Sequence, residues 1–139
     1  MYTLDTNAII YYLKDDAYAV SVLQEVFTQN SPLYISAITE IELFGFPKLS
    51  PKESEQIEEI LRTVAVIPVD SRIARTAGEI RRFHGLNIAD STIAATALFT
   101  GTTLLTRNTR DFQAVPHLSV RKILLSHAIC RRREMSRSC

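Results

Sequence analysis

MYTLDTNAII, residues 1–10, predicts a short strand from Tyr2 to Asp5 that runs directly into an α-helix. Asp5 therefore stands where a strand ends and a helix begins. In open α/β sheets this edge forms the ligand-binding crevice, and aspartate is also a common helix cap. The spacing leaves two roles open for Asp5, a cap of the helix or a functional side chain in the crevice.

The rest of the chain repeats this alternation of short apolar strands and amphipathic helices. Helices are predicted at DDAYAVSVLQEVF, AITEIELFGF, the segment after a Ser50 cap, SRIARTAGEIRRFH and ADSTIAATALF. Strands are predicted at LYIS, at VAVIPVD as a buried strand, at TTLLT and near Leu118 to Ile123, with a polar turn at NTRDF. We predict an α/β fold, a single domain over residues 1–123 whose central parallel sheet of about five short strands has helices on both faces.

The composition fits one ordinary globular domain with a basic end. The 139 residues are 46% hydrophobic, with neither an export signal nor an apolar run long enough to cross a membrane, so we expect a cytoplasmic protein. The only cysteines, Cys130 and Cys139, offer no disulfide framework.

Residues 1–120 carry ten Lys or Arg and fourteen Asp or Glu, net −4, whereas the last nineteen carry six basic residues and Glu134, net +5. We expect residues 124–139 to form a basic, poorly ordered tail, with affinity for phosphate as the alternative.

Two further acids lie on helix faces whose other residues are apolar and are therefore predicted to be buried. Glu42 has Ile38 and Phe46 one helical turn away, and Asp90 precedes Ile93 on its own face. A buried carboxylate needs a cation, a metal or a proton to offset its desolvation. The alternatives are an exposed glutamate on a helix with a different apolar face, and an ordinary first-turn aspartate at a helix N-terminus.

A fourth acid, Asp111, lies in the polar turn that follows the strand TTLLT, and an ordinary turn aspartate is the alternative there. The repeated coincidence of acids with strand ends and inward helix faces favours one shared site. Acids that converge on one edge repel each other unless a divalent cation joins them, and oxygen ligands favour Mg²⁺ or Mn²⁺. Such ions activate water for attack on a phosphodiester. We therefore predict metal-dependent phosphate chemistry at Asp5, Glu42, Asp90 and Asp111.

Over residues 1–123 the chain resembles the PIN-domain nucleases. The resemblance is carried by four segments, MYTLDTNAII, SAITEIELFG, ADSTIAATAL and LLTRNTRDF. The short chain and its S-x-x-T-x-x-E-L pattern are similar to the VapC-type toxins of toxin–antitoxin pairs. The resemblance implies an endoribonuclease that depends on Mg²⁺ or Mn²⁺, forms a homodimer, and binds an RNA substrate and a small antitoxin protein. A catalytically silent PIN-fold binding module and a housekeeping PIN nuclease are the alternatives.

The resemblance also implies roles for the acids. Asp5, Glu42 and Asp90 match the metal-binding catalytic acids of the family. Many relatives place the fourth acid where Asn108 stands, and others place it three residues later, where Asp111 stands. An amide oxygen can bind a hard cation but brings no charge, so we expect Asp111 to be the fourth ligand, with Asn108 assisting.

The other side chains expected at the site are polar or basic. The resemblance implies that the polar neighbours of the acids are Thr6, Asn7, Ser36, Thr39, Thr106 and Asn108. Arg107 and Arg110 are the candidates for contact with the RNA phosphate. The three histidines share no spacing that indicates a metal set or a catalytic pair, and we expect them to be structural or solvated.

Overall fold

The computed structural model describes residues 1–124, so the predicted basic tail, apart from Leu124, lies outside the described residues. Five strands form one sheet in which all neighbours are parallel: β1 Tyr2–Leu4, β2 Leu33–Ser36, β3 Ala65–Ile67, β4 Thr103–Thr106 and β5 Val120–Lys122. The order across the sheet is β3-β2-β1-β4-β5. The predicted α/β fold with a parallel sheet of five short strands is confirmed.

Helices occupy most of the chain between these strands. Those within residues 1–124 are α1 Thr6–Leu13, α2 Ala17–Thr28, α3 Ala37–Phe44, α4 Pro51–Thr63, α5 Ser71–His84, α6 Ile88–Thr100 and α7 Thr109–Phe112. Local capping explains several of the starts. The Ser50 hydroxyl accepts from the Glu53 N–H ahead of α4, and Asp70 accepts from the Ile73 N–H ahead of α5. None of these helices is long and apolar enough to cross a bilayer.

Two local predictions are wrong. VAVIPVD, predicted to be a buried strand, forms only the three-residue β3 at the edge of the sheet, where Ala65 is exposed. An edge strand has a neighbouring strand on one side only, so less of it is covered. NTRDF, predicted to be a turn, contains α7, and this single helical turn brings Phe112 into the core as a fully buried side chain.

The two faces of the sheet carry separate hydrophobic cores. Leu104 and Leu105 are consecutive and fully buried on β4, and they belong to different cores because side chains alternate between the faces of a strand. Leu105 packs in the core that contains buried residues of α1, α2, α3 and α4, whereas Leu104 packs with those of α5, α6 and α7. The helices therefore cover both faces of the sheet, as predicted.

The centre of the sheet contains its topological switch point. The chain leaves β1 towards β2 and β3 on one side, then returns to place β4 on the other side of β1. The crevice at the carboxyl ends of two such strands is where open α/β sheets bind ligands. The Asp5 N–H, directly after β1, donates to the Leu105 carbonyl of β4 at 3.0 Å. Asp5 and Thr106, at the end of β4, thus lie side by side at this crevice.

Candidate active site

Asp5 occupies the N-cap position of α1, but its carboxylate makes no capping hydrogen bond to that helix. Its side chain instead accepts a 2.6 Å hydrogen bond at Oδ2 from the Thr106 hydroxyl, and the residue is 2% exposed. The Thr106 Oγ1 also accepts from the Asn108 N–H at 3.0 Å, so its own proton is directed to Asp5. Of the two roles left open by the sequence, the structure favours the side chain that points into the crevice.

Burial and neighbouring charge make the Asp5 carboxyl a weak acid. The pKa of Asp5 is raised from 3.8 to about 6, mainly by desolvation and also by the charges of Asp90 and Glu42, against the opposing hydrogen bond from Thr106. Asp90 and Glu42 therefore lie close enough to Asp5 for their charges to raise its pKa. The metal-free site therefore carries unfavourable negative charge that a cation would neutralise.

Glu42 reaches the same cluster from α3. The Thr6 hydroxyl donates to Glu42 Oε1 at 2.7 Å, and the Thr39 Oγ1 lies 3.1 Å from the Thr6 Oγ1. Of the two alternatives that the sequence left open for Glu42, a buried and an exposed carboxylate, the structure has the exposed one. The short helix α3 buries Thr39 and Leu43, and Glu42 lies next to Thr39 at the solvent-exposed margin of this buried face. Glu42 is therefore held by a hydrogen bond from α1 and not by burial.

Asp90 and Asp111 extend the cluster along the crevice. Asp90 is half-buried in the first turn of α6, where Asn87 and not Asp90 provides the cap. Burial raises the pKa of Asp90, and the charges of Glu42 and Asp111 raise it further. Asp111 is exposed on α7, and its Oδ2 accepts a 2.6 Å hydrogen bond from the Asn108 side-chain amide. The four predicted acids thus form a chain of interacting carboxylates from four separate segments.

The polar residues predicted around the acids divide into two groups. Thr6, Thr39, Thr106 and Asn108 contact the acids or one another, as described above. Ser36 is fully buried but caps α3, accepting from the Ile38 N–H at 3.2 Å. Asn7 is exposed on α1 directly after Thr6.

Arg107 is not available for the phosphate contact predicted for it. Its guanidinium forms a buried ion pair with Asp16, at 2.7 Å between Nη2 and Oδ1, and lies 4.0 Å from the centre of the Tyr11 ring. Its Nη2 also donates to the Leu124 carbonyl at 2.8 Å. Sequence spacing offered no signal for this pair, because Asp16 and Arg107 are far apart in the chain. Arg110, the other predicted contact, is exposed on α7 beside Asp111.

The donor set fits a hard divalent cation, although it is not a preformed cage. Within residues 1–124 no three acidic, histidine or cysteine side chains converge closely enough to hold an ion by themselves. Mg²⁺ usually binds through one or two carboxylates and keeps several waters, so an open group of acids meets its needs. The repulsion that raises the pKa of Asp5 and of Asp90 would be relieved by such an ion. Asp5 and Asp90 are the best-placed ligands on these grounds, with Glu42 and Asp111 beside them.

Comparison with known proteins agrees with this geometry. A family model described as the PIN domain matches residues 2–118. The chain belongs to the PIN-domain family. Among curated proteins of this family, it is 30% identical over 128 residues to "Ribonuclease VapC2" of Rickettsia felis, a match that covers 85% of this chain and 94% of the relative. It is 28% identical over 123 residues to "Ribonuclease VapC19" of Mycobacterium tuberculosis, covering 85% of this chain and 97% of the relative.

Solved structures show the same PIN-domain fold. A toxin–antitoxin complex from Klebsiella pneumoniae contains a chain that superposes with a TM-score of 0.76 at 27% identity, covering 91% of this chain and 100% of that one. FitAcB from Neisseria gonorrhoeae matches with a TM-score of 0.70 at 32% identity, covering 86% of this chain and 96% of that one. The chain thus spans nearly the full length of VapC-like PIN domains.

Proposed function

We propose that this PIN domain is an endoribonuclease that depends on Mg²⁺ or Mn²⁺ and acts as the toxin of a toxin–antitoxin pair in the cytoplasm. The observation that carries the proposal is the set of interacting carboxylates from four segments at the switch point of the sheet. The relatives named as ribonucleases and the neighbours solved as toxin–antitoxin complexes support the substrate and the biological context.

The chain's own residues prepare the site for a cation and a phosphodiester. When bound, the ion would supply an activated water and stabilise the charge that develops at the cut phosphate. Asp5 and Asp90, with Glu42 and Asp111, would hold it. The Thr106 hydroxyl fixes one oxygen of Asp5, and the Asn108 amide fixes one oxygen of Asp111. Such supporting hydrogen bonds orient metal ligands before the ion arrives.

An apolar groove beside the acids supports protein partners, a small antitoxin and a second copy of the chain. The groove, about 480 Å³, lies between α3, α5 and α6. Ile41 and Ile88, which line it, are 71% and 63% exposed, and they stand one and two residues from Glu42 and Asp90. Exposed apolar side chains gathered at one place are typical of protein interaction sites. A partner seated there would lie next to the acids.

Replacing Glu42 or Asp90 tests the assignment. Glu42→Gln and Asp90→Asn are each expected to lower the rate of RNA cleavage about 100-fold, because even supporting residues of metal sites cost 10–100-fold when removed. Both variants keep the size of the side chain, and circular dichroism checks that they fold. Glu58→Gln, the same change at an exposed position of α4, is the matched control and is expected to cleave as the wild type does.

The same assay tests the need for metal. Chelation with EDTA is expected to stop cleavage by the wild type, and added Mg²⁺ or Mn²⁺ is expected to restore it. Cleavage that survives EDTA, or that is unchanged in both acid variants, would overturn the proposed mechanism. RNA binding without any cleavage would instead identify a silent binding module.

A further inference from the structure

A second cavity lies beside Asp90 and Asp111 and differs in character from the apolar groove. It has a volume of about 440 Å³ and lies between the turn that joins α5 to α6 and the helix α7. Its wall contains both acidic and basic side chains together with one buried apolar residue: His84, Leu86, Asn87, Asp90, Arg110 and Asp111. The volume falls within the range of small-ligand sites, about 300–1,000 Å³.

The charges in this wall match a phosphodiester chain that passes the acid cluster. Asp90 and Asp111 alone would repel an anion. When a cation at those acids binds the phosphate that is cut, however, the next phosphate of the RNA comes within reach of a nearby basic side chain. Arg110 is exposed and forms no salt bridge with another residue of the described chain. Its guanidinium is therefore available for the bidentate contacts that arginine makes to phosphate.

His84 and Leu86 supply a surface for a nucleobase. His84 is the half-buried last residue of α5, and Leu86, 6% exposed, follows it in the turn. Unpaired RNA bases are commonly held by stacking on aromatic side chains, histidine included. The sequence offered no reason to single out His84, because its partners in the cavity come from α6 and α7.

We propose that this cavity is the subsite for the nucleotide next to the cut phosphodiester, with Arg110 contacting its phosphate and His84 stacking on its base. The proposal rests on the proposed nuclease function. A base can enter the cavity only when it is unpaired, so the subsite selects single-stranded RNA at this position.

Binding of a short fluorescent oligoribonucleotide tests the subsite without cleavage if Asp5→Asn is the background of every variant and Mg²⁺ is raised until it offsets the weaker metal binding expected of that background. In that background, Arg110→Gln is expected to weaken binding. It should also reduce the slope of log Kd against the logarithm of the salt concentration by about 0.7, the value for one phosphate contact on a single strand. Added His84→Ala is expected to weaken binding about 5-fold or more, the effect of one lost stacking contact. Arg62→Gln, at an exposed arginine of α4 outside the cavity, is the matched control and is expected to change neither quantity.

The outcomes separate this proposal from the nuclease assignment. Equal affinity and equal salt slope for Arg110→Gln and Arg62→Gln would overturn the subsite, as would equal binding of a duplex of the same sequence or no RNA binding at all. If the wild type cleaves RNA with metal while Arg110 and His84 have no effect, the nuclease stands and the subsite falls. If the wild type does not cleave but binding depends on both residues, the cavity is a nucleotide-binding site and the nuclease assignment falls.

Discussion

Asp5→Asn is expected to make the metal-free protein more stable at neutral pH, although it removes a ligand from the site. The pKa of Asp5 is raised from 3.8 to about 6 in the folded chain, so the folded state binds the proton more tightly than the unfolded state does. Stability is therefore lost as the pH rises from the unfolded value through the folded one. At 1.36 kcal/mol for each pKa unit, the charged carboxylate costs about 3 kcal/mol above that range. Asparagine avoids this cost and can still accept from Thr106.

Urea unfolding in EDTA at about pH 8 and about pH 4 measures the effect. The free energy of unfolding of Asp5→Asn should exceed that of the wild type by up to about 3 kcal/mol at the higher pH, and the difference should be much smaller at the lower one. Asp70→Asn is the control of opposite sign. The hydrogen bond from the Ile73 N–H, together with Arg72, lowers the pKa of Asp70, so loss of its charge should destabilise the protein at the higher pH. Destabilisation by Asp5→Asn at about pH 8 would show that the charge of Asp5 does not oppose folding.

Asp16→Ala is expected to destabilise the fold by about 3–5 kcal/mol, because it leaves the Arg107 guanidinium buried without its counter-ion. The side chains of Arg107 and Asp16 are only 7% and 4% exposed, and two hydrogen bonds join them. Asp16 also caps α2 by accepting from the Ala19 N–H at 3.1 Å. Since small domains are stable by only about 5–15 kcal/mol, this loss is large enough to measure readily by urea unfolding.

An exposed ion pair provides the matched control for this variant. Arg121 and Glu25 lie 2.9 Å apart with side chains 33% and 49% exposed. Exposed pairs contribute about 0–1 kcal/mol, so Glu25→Ala should cost far less than Asp16→Ala. Similar losses in the two variants would show that burial does not set the importance of the Arg107 pair.

Much of the fold could be predicted because short-range signals agree with the final packing. The Ser50 cap followed by Pro51 marks the start of α4, and the continuously apolar strands indicate a parallel sheet covered on both faces. The sequence pattern does not show which strands lie next to one another in the sheet. VAVIPVD is as apolar as a central strand, yet β3 lies at the edge.

The acids could be predicted from position, but their surroundings could not. Asp5 and Asp90 lie at the crevice, where the strand end and the helix face place them. Glu42 sits on an apolar helix face by spacing, but α3 is covered on one side only, so the glutamate is exposed. Arg107 stands between two polar residues of the site in sequence, and yet its long side chain turns away to Asp16. Contacts between distant segments decide both cases, and no local pattern records them.

If the interacting carboxylates form one shared divalent cation site, calorimetric titration of Mn²⁺ should distinguish the wild type from Asp5→Asn. At about pH 6 the wild type should bind Mn²⁺ and release protons, because metal ligands must be deprotonated and the pKa of Asp5 is raised to about 6. Asp5→Asn should bind at least about 10-fold more weakly, with less proton release. Equal binding by the two proteins, or no binding by the wild type, would show that these carboxylates do not form a shared cation site.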